Sequence, residues 1–317
     1  MGKISNYAAG AMAALAMVFS AQTATAEDDC RLTPLASFAI SPDFRDVIAI
    51  PVKINDRELL LSLSTASPRS GIDDSVATEL GLLRAATGFE GIHGDMRAPG
   101  LWMGRDYITL RGKTLDEMAY ASSLDLGGMT GKNVRFTIFP DDGTPRKIAG
   151  ALGTDILRQY DVELDFAAGK VNLFSHQHCP GKVIYWTHQP YASARFHLDQ
   201  GFHIEIPVEV DGESLTAVVA TGITHPLMKL DTARRVFGWH SDPAALKPDP
   251  DRKGDYDYPF KALRFAGATV HDPVVKLTDE DLHEKPDMLL GLSALKAFHV
   301  YISYDEQTIY LTARDAH

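Results

Sequence analysis

Two four-residue turns, Ser64-Thr65-Ala66-Ser67 and Ala220-Thr221-Gly222-Ile223, hold the hydroxyl groups of this sequence best placed to do chemistry. A serine becomes a nucleophile only when a base takes its proton and a third group orients that base. His225 lies close enough to the second turn to act as that base for Ser64, but no third member is evident. Asp73 and Asp74 follow the first turn, and Asp74 reads as the N-cap of a helix rather than a relocated acid. Asp155, Asp161 and Asp165 gather after Gly153, yet the matching positions of a later block hold Ser293, His299 and Ser303. No symmetric carboxylate pair is built there, and exposed turn and strand-face positions are expected. His176, His178 and Cys179 form an H-x-H-C run without a fourth ligand at zinc spacing. Asp249, Asp251, Asp255 and Asp257 are acidic enough for calcium, but no bidentate Glu closes the run, so a solvated loop is expected. No metal and no cofactor are expected.

The elements that must position the two turns occur twice. Ile48 to Leu63 reads as two alternating strands joined at Asn55-Asp56, and Ile204 to Val219 repeats it around Asp211-Gly212, a pair suited to the positive dihedrals of a two-residue hairpin turn. After each turn a short helix is predicted, Asp74 to Leu80 stopped by Gly81 and Asp231 to Phe237 stopped by Gly238. A second matched block closes each half, Ile148 to Phe174 against Met288 to Thr312. In each, an apolar strand meets a glycine, Gly153 or Gly291, and a short helix and a hairpin follow. Two ordered blocks recurring in both halves argue for a tandem duplication. Between the blocks, residues 83 to 104 and 241 to 259 read as mobile loops or hairpin tips.

These motifs resemble the retropepsin-like aspartic proteases, in particular two-copy forms of bacterial envelopes, over residues 44 to 174 and 200 to 312. The resemblance rests on Ala151 to Phe166 (ALGTDILRQYDVELDF), Leu289-Leu290-Gly291 and Glu79-Leu80-Gly81-Leu82. It implies a mainly β fold: two tandem retropepsin-like (acid protease) β-barrel domains related by pseudo-twofold symmetry, each with a short helix. In that family each copy supplies one aspartate from an Asp-Thr-Gly-Ala turn, and the two carboxylates share a proton, one activating water while the other protonates the scissile carbonyl. Here Ser64 and Ala220 occupy both aspartate positions, and Ala66 replaces the first glycine. The register is secured by Ile50-Pro51 and Ile206-Pro207, equally far ahead of the two turns. Thr65 and Thr221, which cross-bond the copies in the family, remain. The resemblance therefore implies a scaffold without its acid dyad, and a cleft that binds a peptide or protein segment. The alternative is a hydrolase using non-standard residues or an aspartate supplied by a partner chain. Trp102 falls in the flap-like segment, where packing is the expected role and contact with a bound peptide the alternative.

The ends and the composition bound the setting. Lys3, the apolar run Ala8 to Phe19 and Ala24-Thr25-Ala26 read as a Sec-type signal peptide cut after Ala26, giving a periplasmic or secreted protein without a membrane anchor. The remaining chain is long enough for two domains, placed at 27–182 and 183–317. Cys30 and Cys179 are the only cysteines, and in an oxidising compartment they read as one disulfide, worth about 4 kcal/mol in the chain-entropy model. The formal net charge of −11 and pI near 5.5 exclude a phosphate-backbone binder, so nucleic acid is not an expected partner. A duplicated chain already contains the twofold that single-copy relatives obtain by pairing, which favours a monomer.

Overall fold

A computed structural model describes residues 31–86, 109–110, 113–115, 117–141, 146–199, 201–250, 253–279 and 286–315. The fold is mainly β. Among the described residues the helices are short: Asp74–Glu79, Thr154–Leu157, Leu230–Val236 and Leu292–Leu295.

Each half starts from a hairpin whose turn is dictated by its residues. Ala49–Ile54 pairs antiparallel with Arg57–Leu63, and the intervening Asn55 and Asp56 take φ of 48° and 64°. Ile204–Val210 pairs with Glu213–Ala220 in the same way, with Asp211 and Gly212 at 47° and 95°. Positive φ at both central positions matches the right-handed twist of the flanking strands. Alternate residues Ile50, Val52 and Ile54, and Ile204, Ile206, Val208 and Val210, point into one continuous core.

The same sequence of pairings then recurs. Arg57–Leu63 runs parallel to Ile148–Leu152, which lies antiparallel to Gly71–Asp73, itself parallel to Met129–Phe139. In the second half Glu213–Ala220 runs parallel to Met288–Gly291, antiparallel to Leu227–Lys229, which is parallel to Val274–Thr278. The strand that enters each turn is therefore clamped by the strand that ends at the late glycine.

The halves join in a six-stranded sheet whose order reads alike from either edge: Pro34–Ala39, Lys170–Phe174, Asp161–Asp165, Phe298–Ser303, Thr308–Ala313 and Ala192–Arg195. Its centre is an antiparallel contact between the halves, with Glu163 opposite Tyr301. One face carries Val162, Leu164, Val171, Leu173, Val300, Ile302, Ile309 and Leu311, all buried. Burying such side chains contributes about 1.5–3 kcal/mol each, which ties the two halves into one core.

The opposite face differs from expectation. Asp161 and Glu163 are each 0 % exposed and so are not solvent-facing positions, while Asp155 and Asp165 are half-buried. The reason is that the segment between the halves folds back over the polar face. His178, Tyr185 and Trp186 bond residues of the sheet directly, and Val183 packs with Phe174, Tyr301 and Tyr310. Two further expectations are corrected. The N-cap of the first helix is Asp73, not Asp74; Asp141 takes the Ser75 N–H at 2.8 Å, leaving Asp74 to pair with Arg84 at 2.5 Å. In residues 241 to 259, read as a loop or hairpin tip, Lys247–Pro248 pairs antiparallel with Asp255–Pro259; the departure is Asp255, which is buried rather than solvated. Lys276 holds Asp249 and Asp257 at 2.6 and 2.7 Å. Asp251, Trp102 and most of residues 83 to 104 lie outside the described residues, as does Cys30 of the expected Cys30–Cys179 bridge.

Candidate functional site

The two turns meet face to face. Ser64 to Ser67 leaves the end of Arg57–Leu63, and its Ser67 N–H donates to the Ser64 carbonyl at 3.3 Å. Thr221 to Ile223 leaves the end of Glu213–Ala220, and the Ile223 N–H donates to the Ala220 carbonyl at 3.4 Å. Each turn is held from behind by a late motif. The Thr154 N–H donates to Ser67 O at 2.8 Å and the Leu292 N–H to Ile223 O at 2.9 Å. Those bonds explain Gly153 and Gly291: a Cβ on Gly153 would lie 2.5 Å from the Arg69 carbonyl carbon, and one on Gly291 would lie 2.3 Å from that of His225. Backbone occupies the space, and no side chain fits.

Between the turns, Thr65 and Thr221 exchange hydrogen bonds reciprocally. The Thr65 hydroxyl donates to Val219 O at 2.6 Å, and the Thr221 hydroxyl donates to Leu63 O at 2.8 Å. The Thr221 N–H donates to Thr65 Oγ1 at 3.2 Å, and the Thr65 N–H to Thr221 Oγ1 at 3.1 Å. Both threonines are 0 % exposed. Each hydroxyl thus satisfies a carbonyl and an amide of the opposite half that would otherwise be buried without partners.

This bracing sets Ser64 against the other turn. A Cβ on Gly222 would lie 2.8 Å from Ser64 Oγ, so the serine side chain occupies the space that glycine leaves open. Gly222 is exposed, Ser64, Ala66 and Ser67 are half-buried, and Ala220 is buried. The paired turns therefore present hydroxyl, methyl and backbone groups, and none of their eight residues carries a carboxyl.

No known family model matches this chain. No curated protein matches it either.

Acid–base hydrolysis needs groups that exchange protons near neutral or acid pH. His225 sits beside the second turn, but its Nδ1 is buried with no hydrogen-bond partner, so nothing orients the ring as the base of a Ser64 nucleophile. Asp155 is committed elsewhere: its Oδ1 accepts the Ser70 N–H at 2.9 Å and the Ser70 hydroxyl at 2.7 Å. Ser70 Oγ accepts the Gly153 N–H in turn, at 2.9 Å. Burial raises the Asp155 carboxyl above its ordinary range, and the Ser70 bonds oppose the shift. It braces the first turn against its late motif. Among the described residues no group of His, Cys, Asp and Glu is arranged to hold a metal ion; His178 Nε2 lies 2.6 Å from Asp161 Oδ2, a hydrogen bond rather than the spacing of two ligands on one ion.

Sequence reasoning missed a second polar cluster entirely. Glu163 accepts from Tyr185 at 2.9 Å and bonds His299 at 2.9 Å, while Asp161 bonds His178 and accepts the Tyr304 N–H at 3.0 Å. The signal was the alternation of Asp161 and Glu163 with Val162 and Leu164, which by itself points to a solvent face.

Proposed function

We propose that this chain is a degenerate, retropepsin-like module of the cell envelope that is catalytically inactive and binds an extended peptide or protein segment. The observation that carries the reading is the reciprocal Thr65–Thr221 bonding around two turns that hold Ser64 and Ala220 in place of any carboxylate. A brace of four hydrogen bonds keeps a cleft floor rigid, and rigidity serves binding as well as catalysis. Recognition of an extended chain through main-chain pairing at strand edges does not require an acid dyad. The division into domains 27–182 and 183–317, the periplasmic or secreted location, the monomeric state and the Cys30–Cys179 bridge belong to this proposal.

Binding is tested by isothermal titration against peptide libraries, comparing the wild-type chain with Gly222→Val. Gly222 is exposed, and its new side chain would crowd Ser64 and fill the floor. The substitution is expected to weaken the captured peptides at least tenfold while leaving the free energy of unfolding within about 1 kcal/mol of wild type. Unchanged affinity in the variant contradicts the assignment of the cleft as the binding site.

A further inference from the structure

The segment that covers the shared sheet is fastened by ionisable groups at almost every polar contact. From the covering strap, His178 Nε2 lies 2.6 Å and His176 Nε2 3.5 Å from the two oxygens of Asp161. His178 Nδ1 lies 3.4 Å from Glu306 Oε1, and the Gly181 N–H donates to both Glu306 oxygens at 3.0 and 3.1 Å. The Tyr185 hydroxyl donates to Glu163 Oε2 at 2.9 Å. Trp186 stacks on His299 with ring centres 4.1 Å apart and planes 6° apart, and its indole N–H donates to Thr312 at 3.0 Å. Beneath it, His299 Nε2 bonds Glu163 Oε1 at 2.9 Å. Three carboxylates, Asp161, Glu163 and Glu306, therefore fasten the strap. Its one fully buried apolar anchor is Val183.

Titratable groups face these carboxylates from several elements, while Lys170–Phe174 contributes the Asn172 amide, which donates to Glu163 Oε2 at 2.5 Å. Asp165 lies on the strand of Asp161 and Glu163, His176, His178 and Tyr185 on the strap, and His299 and Tyr301 on Phe298–Ser303. Tyr304 and Glu306 lie on the following turn and Tyr310 on the last strand. Adding protons disrupts this arrangement from both sides. A protonated carboxyl loses most of its pull on histidine, leaving His176 and His178 as two cations on one short segment, the second almost wholly buried. A charged His299 would carry an Nδ1–H with no acceptor, because that atom is buried and unpartnered.

We infer that residues 176–187 form an acid-released latch over the sheet shared by the two halves. Lowering the pH loosens the strap on either side of Cys179 and exposes the polar face of Asp161, Glu163, His299 and Tyr301 while the apolar face keeps the halves together. The device is separate from the cleft and does not depend on peptide binding.

The test uses the full chain with Trp102→Phe and Trp239→Phe, so that Trp186 alone emits. Its fluorescence and acrylamide quenching are followed from pH 7.5 to 4, a range spanning titration of free imidazole and carboxyl groups, with far-ultraviolet circular dichroism in parallel. A latch predicts a red shift and at least a threefold rise in quenching while the β signal is unchanged. It also predicts that Asp161→Asn has an exposed Trp186 already at pH 7.5. Glu306→Gln, at the less buried rim, tests the same point should Asp161→Asn fail to fold, and is expected to move the release midpoint. A Trp186 signal that changes only together with the loss of β structure overturns the inference, as does a Glu306→Gln profile identical to its parent.

Discussion

Replacing Thr65 and Thr221 together by valine is expected to destabilise the chain by about 3–6 kcal/mol, and either single replacement by about 2–4 kcal/mol. Valine keeps the volume and the β-branched shape, so the cost is chiefly polar. Thr65→Val leaves the Val219 carbonyl without its 2.6 Å donor and the Thr221 N–H without its acceptor. Thr221→Val does the same to the Leu63 carbonyl and the Thr65 N–H. A buried polar group left unpaired costs about 1–3 kcal/mol. The double variant should fall short of the sum because the hydroxyl remaining in each single variant has already lost part of its network. Thr65→Ser and Thr221→Ser keep the hydroxyl and are expected to cost no more than about 1 kcal/mol each, for the lost methyl. Urea denaturation of the five variants and wild type measures all of this. Equal losses for serine and valine would show that the threonines contribute only packing.

Steep alkaline unfolding is the second large effect. Tyr301 and Tyr304 are 0 % and 5 % exposed, and both phenols are held well above the ordinary range. Burial is the first cause for each, and the Asp161 carboxylate beside them is the next. A group whose folded value is raised contributes stability that is complete below its unfolded value and is lost as pH climbs toward the folded one. The unfolded phenol ionises near pH 10, so above that point the unfolded chain sheds protons that the folded chain retains. Stability should be flat in this respect up to about pH 9.5, then decline by up to about 3 kcal/mol by pH 11 from these two residues. Tyr310, raised by burial and by its bond to Glu306, pushes the same way. Urea unfolding at pH 8 to 11 measures the decline, and Tyr301→Phe should remove close to half of the part assigned to the pair. A decline unaffected by Tyr301→Phe would place the alkaline sensitivity elsewhere.

Much of the local architecture was legible because single residue types leave the backbone little choice. Asn55-Asp56 and Asp211-Gly212 tolerate positive φ and so announced both hairpins. Gly153 and Gly291 announced the late motifs because backbone from Arg69 and His225 lies where their side chains would be. The threonine brace could be anticipated only through family resemblance, since nothing local to Thr65 points to a partner in a turn more than a hundred residues away.

The polar face of the shared sheet was misread for a physical reason. Alternation of Asp161 and Glu163 with Val162 and Leu164 distinguishes two faces but cannot say that the second is covered. The strap over it has no periodicity of its own; its histidines, tyrosine and tryptophan are placed by partners on distant strands. Asp255 was misjudged likewise, because its acidic, proline-rich surroundings resemble a solvated loop, whereas the strand Asp255–Pro259 pairs antiparallel with Val274–Thr278 and buries Asp255.

The central claim is that the cleft floor binds without cutting. Its most direct test is to incubate the wild-type chain with a random peptide library from pH 3 to 7, and to measure retained and cleaved peptides in one mass-spectrometric experiment. Intact peptides retained by wild type, with no cleavage at any pH, are the predicted result. Cleavage by wild type that disappears in Ser64→Ala would contradict it, and would assign to Ser64 the nucleophilic role that its unoriented neighbour His225 argues against.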